Sequence, residues 1–204
     1  MQITIGPNVR FSYVSVFEPK AIKAGDPAKY SVSIIIRKDD QQSLMAITAA
    51  LQAMQSDPEC MTKWGKINPS TFKMPLRDGD IDRPGEPEYA GCYFLNASSS
   101  NKPGVVDSHL QPIMNRDDFY SGCYGAASIR FYAFNYENTS KGIGVGLQNV
   151  MKIKDGEPLA GNSDPSADFA SFASPMPMGM PAPAYGQPAP APAYAPQAAP
   201  AYAP

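Results

Sequence analysis

The segment "ASIRFYAFNY", residues 127–136, limits what this chain can fold into more than any other stretch. Its side chains alternate in character. Ala127, Ile129, Phe131 and Ala133 form one small, apolar set, and Ser128, Arg130, Tyr132, Phe134 and Tyr136 form the other. A period of two belongs to a strand, whose successive side chains point to opposite faces. The first set suits the inside of a barrel. The second places a cation among phenols and a phenyl ring on the outside, so one strand raises both the question of fold and that of function.

The rest of the body repeats the strand pattern. "VRFSYVSVF" (9–17) is rich in β-branched and aromatic residues and stops ahead of Pro19. "KYSVSIIIRK" (29–38) sets Tyr30, Val32, Ile34 and Ile36 on one face, and "AGCYFLNAS" (90–98) and "GIGVGLQNVMKI" (142–153) follow. Gly142, Gly144 and Gly146 share one face of the last segment, which admits close approach of another backbone or a bend. They lack the GxGxxG spacing of a nucleotide loop, and no helix follows. One segment carries a helical period. In "QQSLMAITAALQAMQ", Leu44, Ile47, Leu51 and Met54 fall on one face, with Asp39 and Asp40 placed to cap its start and Asp57-Pro58 marking its end. Two strands, a helix and then several strands with long loops at 76–89 and 96–118 predict a mainly β fold. The expected architecture is an OB-like Greek-key barrel with one α-helix and long loops. A βαβ alternation would need more helices.

The sequence divides near its end. Residues 174–204 contain 10 Pro and 10 Ala among 31 residues, with Tyr185, Tyr194 and Tyr202 spaced between them. Proline at that density removes ladder donors and favours extended chain, and without large aliphatic residues the segment is expected to be disordered. The predicted division is therefore a body at 1–160, an acidic-aromatic segment at 161–173 and the Pro/Ala-rich tail at 174–204. Charge divides a few residues earlier, after Lys154. Residues 1–154 hold all 17 Lys and Arg with 15 of the 19 Asp and Glu, a net +2, and the remainder holds four acids and no base, a net −4. A body so close to neutral can bind a polyanion only by gathering its positive charge on one face.

Aromatic rings mixed with a guanidinium are what an unpaired nucleic-acid strand requires. Bases stack on rings at about 1–3 kcal/mol each, and a guanidinium stacks on a base or holds a phosphate. The same rings would also serve packing under a loop or a subunit interface. Candidate nucleic-acid contacts are Arg10, Lys29, Arg37, Lys38, Asn96, Lys102, Tyr120, Tyr124, Arg130, Tyr132, Phe134, Tyr136 and Lys141, and the polar run Asn96–Lys102 suits phosphate and sugar contacts. Catalytic chemistry finds little support. The sole histidine, His109, has no evident orienting partner, and Cys60, Cys92 and Cys123 lack the short paired spacings of a zinc site. Cys92 and Cys123 follow glycine in aromatic surroundings and read as buried, reduced thiols. "RDGDIDRPGEPE" alternates Asp78, Asp80 and Asp82, but Arg83 and Tyr89 stand where a calcium loop needs glycine and glutamate. No cofactor, metal or catalytic residue is expected. Without a signal segment or a long apolar run, neither export nor membrane insertion is expected.

Several phrases, taken in order, carry a resemblance: "VRFSYVSVFEPK", "YSVSIIIRKDD", "MPLRDGD", "YFLNASSSNKPGVVD", "YSGCYGAASIRFYAFN" and "KGIGVGLQNVMKIKDGEPLAG". Together they resemble a family of phage and prophage single-stranded-DNA-binding proteins with OB folds, over roughly residues 5–172. The resemblance implies a non-enzymatic protein that coats single-stranded DNA in replication and recombination in the bacterial host cytoplasm, often as a dimer. It further implies an acidic, aromatic element that contacts replication or recombination proteins. The matching residues are Asp164, Asp168, Phe169 and Phe172 in "SDPSADFASF". In related replication proteins such an element stands at the very end, whereas here the uncharged tail follows it. The rival reading is a structural or assembly protein of a phage particle, with the aromatic face at a subunit contact.

Overall fold

Seven strands build the fold: β1 (Gln2–Lys20), β2 (Lys29–Arg37), β3 (Arg77–Asp78), β4 (Cys92–Ser99), β5 (Gly104–Val106), β6 (Tyr124–Tyr136) and β7 (Ser140–Lys154). The computed structural model describes residues 1–21, 25–136 and 140–159. The sheet order is β3-β4-β2-β1-β6-β7-β5. A parallel pairing of β4 with β7, at Ser98 and Gly146, closes five of these strands into a barrel running β1-β2-β4-β7-β6. This is the strand connectivity of an OB barrel, as the sequence order predicts. The expected segments 161–173 and 174–204, with Asp164, Asp168, Phe169 and Phe172, lie outside the described residues.

The barrel interior is filled by the alternating apolar sets. Ala127, Ile129, Phe131 and Ala133 of β6 are all buried, as are Val32, Ile34 and Ile36 of β2, Leu95 and Ala97 of β4, and Ile143, Val145 and Leu147 of β7. β1 serves two neighbours, β6 along its first half and β2 along its second, so it must bend. Its bends are irregularities of register, one near Gly6, one at Tyr13 and one between Ser15 and Lys20. Gly6 has φ 128°, and a Cβ there would stand 2.7 Å from the Ala126 Cα, so only glycine lets the two strands approach.

The helix α1 (Gln41–Ser56) starts where the sequence places it. The Asp40 side chain accepts from Ser43 N–H at 3.1 Å, and Ile47, Ala50, Leu51 and Met54 are buried on one face, with α1 packed against β1. Each such aliphatic side chain contributes roughly 1.5–3 kcal/mol when fully buried. The structure adds a second helix that the one-helix reading lacks, α2 (Pro58–Trp64), and a single turn, α3 (Gly79–Asp82). Asp57-Pro58 ends α1 and also begins α2: Asp57 Oδ1 accepts from Glu59 N–H and Cys60 N–H, and Pro58 occupies the first helical turn, where its missing donor costs nothing. Trp64 is fully buried at the end of α2, and its indole N–H donates to Gly142 O at 2.8 Å.

The long excursion between α2 and β4 does not hang free. Its last part, with α3 and Tyr89, folds over the outside of β2 and β4. There Ile35, Tyr89, Cys92 and Phe94 form a second, smaller core outside the barrel. Four of the five acidic residues of this excursion are matched to bases: Asp78 and Asp80 to Lys38, Asp82 to Arg77, Glu86 to Arg83.

Candidate nucleic-acid interface

In-register pairing carries one line of residues across the whole barrel wall. Ser15 of β1 faces Ser31 of β2, Ser31 faces Ser98 of β4, Ser98 faces Gly146 of β7, and Gly146 faces Arg130 of β6. Core residues such as Val16, Val32, Ala97, Leu147 and Ile129 sit next to them in sequence, so the line lies on the outer surface. Three hydroxyls and a bare glycine make its floor, all half-buried, and the exposed Arg130 stands at one end. We read this line of small residues as the floor of a shallow trough crossing the strands. No side chain along its floor is large enough to block a chain laid in it.

Aromatic and polar groups border the trough. On β6 the Tyr132 ring is 38 % exposed and lies over Gly144, its cross-strand partner; a Cβ on Gly144 would stand 2.6 Å from the phenolic oxygen. Beyond it Phe134 and Tyr136 face each other at 5.3 Å. The glycine face of β7 thus does two things: Gly144 seats a ring, and Gly142 admits the backbone of Lys73, whose N–H and C=O bond across it. Exposed Asn96 of β4 pairs with Ser33, and Ser33 is covered by Tyr89, whose hydroxyl donates to it at 3.0 Å. Beside Arg130 and Tyr132 opens a hollow of about 460 Å³ that Asp57 and Glu59 also line.

Two other gatherings of cations and rings lie away from the trough floor. Arg83 lies over the rings of Tyr13, Tyr89 and Phe94 at 5.0, 4.8 and 5.3 Å, while Arg77 covers Phe94 at 4.9 Å. Tyr13 donates its hydroxyl to Glu86 Oε2 at 3.0 Å, and this bond, ahead of burial, pushes the phenol above its ordinary pKa. The second gathering brings Arg10 and Lys154 to Tyr124, 5.4 and 5.1 Å from its ring centre.

The expected contact residues therefore fall into separate groups. Arg130, Tyr132, Phe134, Tyr136 and Asn96 share or border the trough; Lys29 is exposed at the start of β2 and Lys102 in the loop between β4 and β5. Others are bound into the fold. Arg10 donates to Gly122 O and Glu157 O at 3.2 and 2.8 Å, Arg37 pairs with Asp39, and Lys38 is held by Asp78 and Asp80. Lys141 donates to Trp64 O at 2.7 Å. Tyr120 donates to Asp155 Oδ1 at 2.9 Å and accepts from Gly156 N–H at 3.3 Å, closing the end of β7. Sequence reasoning passed over Ser15, Ser31 and Gly146 as a floor, and Tyr13 and Arg83 as a pair. The serines left one trace: hydroxyls alternate with Val and Ile in "YSVSI", which sets Ser31 outward, whereas Ser12 and Ser15 stand three apart and share a face only through the register shift between them. Cys92 and Cys123 are buried free thiols, and burial raises the pKa of both.

A family model described as the single-stranded-DNA-binding protein of Enterobacter phage Enc34 matches residues 1–177. The chain belongs to that family. Protein p50 of Acyrthosiphon pisum secondary endosymbiont phage 1 is 31 % identical over 173 residues, spanning 79 % of this chain and 88 % of that protein. Among solved structures, the single-stranded-DNA-binding protein of bacteriophage Enc34 in complex with ssDNA is similar with TM-score 0.65 and 28 % identity, covering 77 % of this chain and 88 % of that one. The single-stranded-DNA-binding protein gp2.5 of bacteriophage T7 shares the fold, with TM-score 0.54 at 12 % identity over 85 % of this chain and 95 % of that one. Among the described residues, no helix is long and apolar enough to cross a membrane.

Proposed function

We propose that this protein binds single-stranded DNA without sequence preference and coats it during phage replication and recombination in the host cytoplasm. The strand lies in the trough, with Arg130 and Lys29 on phosphates, the serines and Asn96 on sugar and phosphate, and Tyr132, Phe134 and Tyr136 stacking on bases. The observation that carries this reading is the line Ser15–Ser31–Ser98–Gly146–Arg130, an open small-residue floor ending in an exposed guanidinium. Membership in the Enc34 family supports it, since a relative there has been solved in complex with ssDNA. The role is non-enzymatic: positioned cations and rings suffice for holding a strand. The segment with Asp164, Asp168, Phe169 and Phe172 is assigned to contacts with replication or recombination proteins, and a homodimer is the proposed assembly.

The test is a fluorescence titration with poly-dT at several salt concentrations. Affinity should fall linearly in log salt, by about 0.7 in slope for each phosphate contacted. Absence of measurable affinity at low salt sinks the reading.

A further inference from the structure

Tyr13 has a backbone that its residue type resists. It stands in the register shift of β1 between the pairs Ser12–Ser33 and Ser15–Ser31, and its φ is 49°, the left-handed region that favours glycine. Only one other non-glycine residue among those described, Leu110, has a positive φ. A tyrosine kept in such a conformation within a strand is held there by its surroundings, and residues so held gather at functional sites. Arg83 lies against the ring at 5.0 Å, Glu86 accepts from the hydroxyl at 3.0 Å, and Arg83 and Glu86 are themselves joined at 2.6 Å.

That clamp orients the ring without hiding it, because Tyr13 remains 57 % exposed. Packing alone would not leave a strained, oriented aromatic ring facing solvent. Ser15, the first residue of the trough floor, lies two positions along the same strand. We infer that Tyr13 is a base-stacking platform at the β1 end of the trough, pre-oriented by Arg83 and Glu86. A base lies on the open face of the ring, with the guanidinium on the other side. Since the ring is already fixed, stacking costs little further side-chain freedom. The line then has an aromatic group at each of its ends, Tyr13 at β1 and Tyr132 at β6, so a strand following it round the barrel is gripped at both. This inference rests on the proposed reading of the trough and extends it to a residue outside β6.

The experiment compares the full chain with Tyr13→Ala, Tyr13→Gly and Tyr13→Phe, each titrated with poly-dT at one salt concentration and unfolded in urea. Loss of one stacked base predicts affinity about 5- to 150-fold weaker for Tyr13→Ala and equally for Tyr13→Gly. Tyr13→Phe should stay within about threefold of the parent, because stacking needs the ring and not the hydroxyl. Glycine tolerates φ 49° and alanine does not, so the urea midpoint should be higher for Tyr13→Gly than for Tyr13→Ala. Equal loss of binding at unequal stability separates the ring's role from a folding defect. Ultraviolet cross-linking to a bromodeoxyuridine-substituted strand should place an adduct on Tyr13. Unchanged affinity in Tyr13→Gly, or adducts confined to 120–136, overturns the inference and leaves the trough standing. A parent protein that binds no poly-dT overturns the trough itself.

Discussion

Replacing Tyr132 with alanine separates a stacking ring from a packing ring, and the structure supplies both magnitudes. A fully covered aromatic side chain buries about 150–250 Å². Tyr132 is 38 % exposed, so roughly three-fifths of that is covered, mostly against Gly144 and the neighbouring strand. At about 25 cal/mol per Å² this gives roughly 3 kcal/mol. The figure is an upper bound, because unfolded chains already bury some surface and alanine keeps the Cβ. A loss near 2 kcal/mol is expected, within the 5–15 kcal/mol stability of an ordinary domain. Removal of one stacked base should cost a further 1–3 kcal/mol of binding, about 5- to 150-fold in affinity. The sole tryptophan, Trp64, is fully buried and reports unfolding in urea by its fluorescence. Poly-dT titration of the folded variant reports binding. A variant that loses stability as stated yet binds poly-dT like the parent refutes the stacking role and returns Tyr132 to packing.

Arg130→Ala should leave stability within about 0.5 kcal/mol, since the side chain is exposed and has no acidic partner among the described residues, and should reduce the salt slope by about 0.7. An unchanged slope would remove Arg130 from the phosphate contacts. Gly142→Ala should destabilise the protein, because the new Cβ would overlap the Lys73 carbonyl and stand 2.8 Å from the Lys73 Cβ; an unchanged urea midpoint would contradict that packing. Asp80 is held below the usual carboxylate range first by Lys38 and then by the Gly91 N–H. A depressed folded pKa contributes stability that is present above the unfolded value, near 3.8, and lost as pH falls through the folded one. The urea midpoint of the parent should therefore fall more steeply than that of Asp80→Asn as pH is lowered below about 4; parallel curves would show that the Lys38 pair contributes nothing to acid sensitivity.

The strands were legible because each buries one face and so alternates. β6 shows this most clearly, its inward set Ala127, Ile129, Phe131 and Ala133 being buried as the pattern requires. α1 was legible for a parallel reason, a cap followed by one apolar face. α2 was not, because seven residues are too few to show a helical period and Asp57-Pro58 reads equally as a stop or a start. β3 and β5 are two and three residues long, and only their pairing with β4 and β7 makes them strands. The trough was half legible. Arg130 and Tyr132 follow from local alternation, and Asn96 from the polar run it begins. The floor depends on which serine stands opposite which, and above all on the parallel contact of Ser98 with Gly146 across 48 residues of sequence, which no local pattern encodes. Tyr13 escaped because its outward aim comes from a shift in register.

Residues 1–154 carry only +2, yet they can still present a positive trough because of where the acids stand, Asp155 just beyond them included. Asp39 neutralises Arg37, Asp78 and Asp80 neutralise Lys38, Asp82 neutralises Arg77, Glu86 neutralises Arg83 and Asp155 neutralises Lys152. Such pairs add little field beyond a Debye length of about 8–10 Å. Of the expected cationic contacts, Lys29, Lys102 and Arg130 are the ones both exposed and without an ion pair among the described residues, so they are the ones free to meet a phosphate chain. Three phosphate contacts give a log–log salt slope near −2 for a single strand, shallow beside that of strongly basic proteins. Most of the affinity would then come from stacking and persist as salt rises. A measured slope of about −5 or steeper would mean that Arg37, Lys38 or Arg83 leave their carboxylates on binding. The paired cations would then be a reserve opened by the strand, and the picture of a fixed trough would have to give way to one in which the 78–91 excursion lifts.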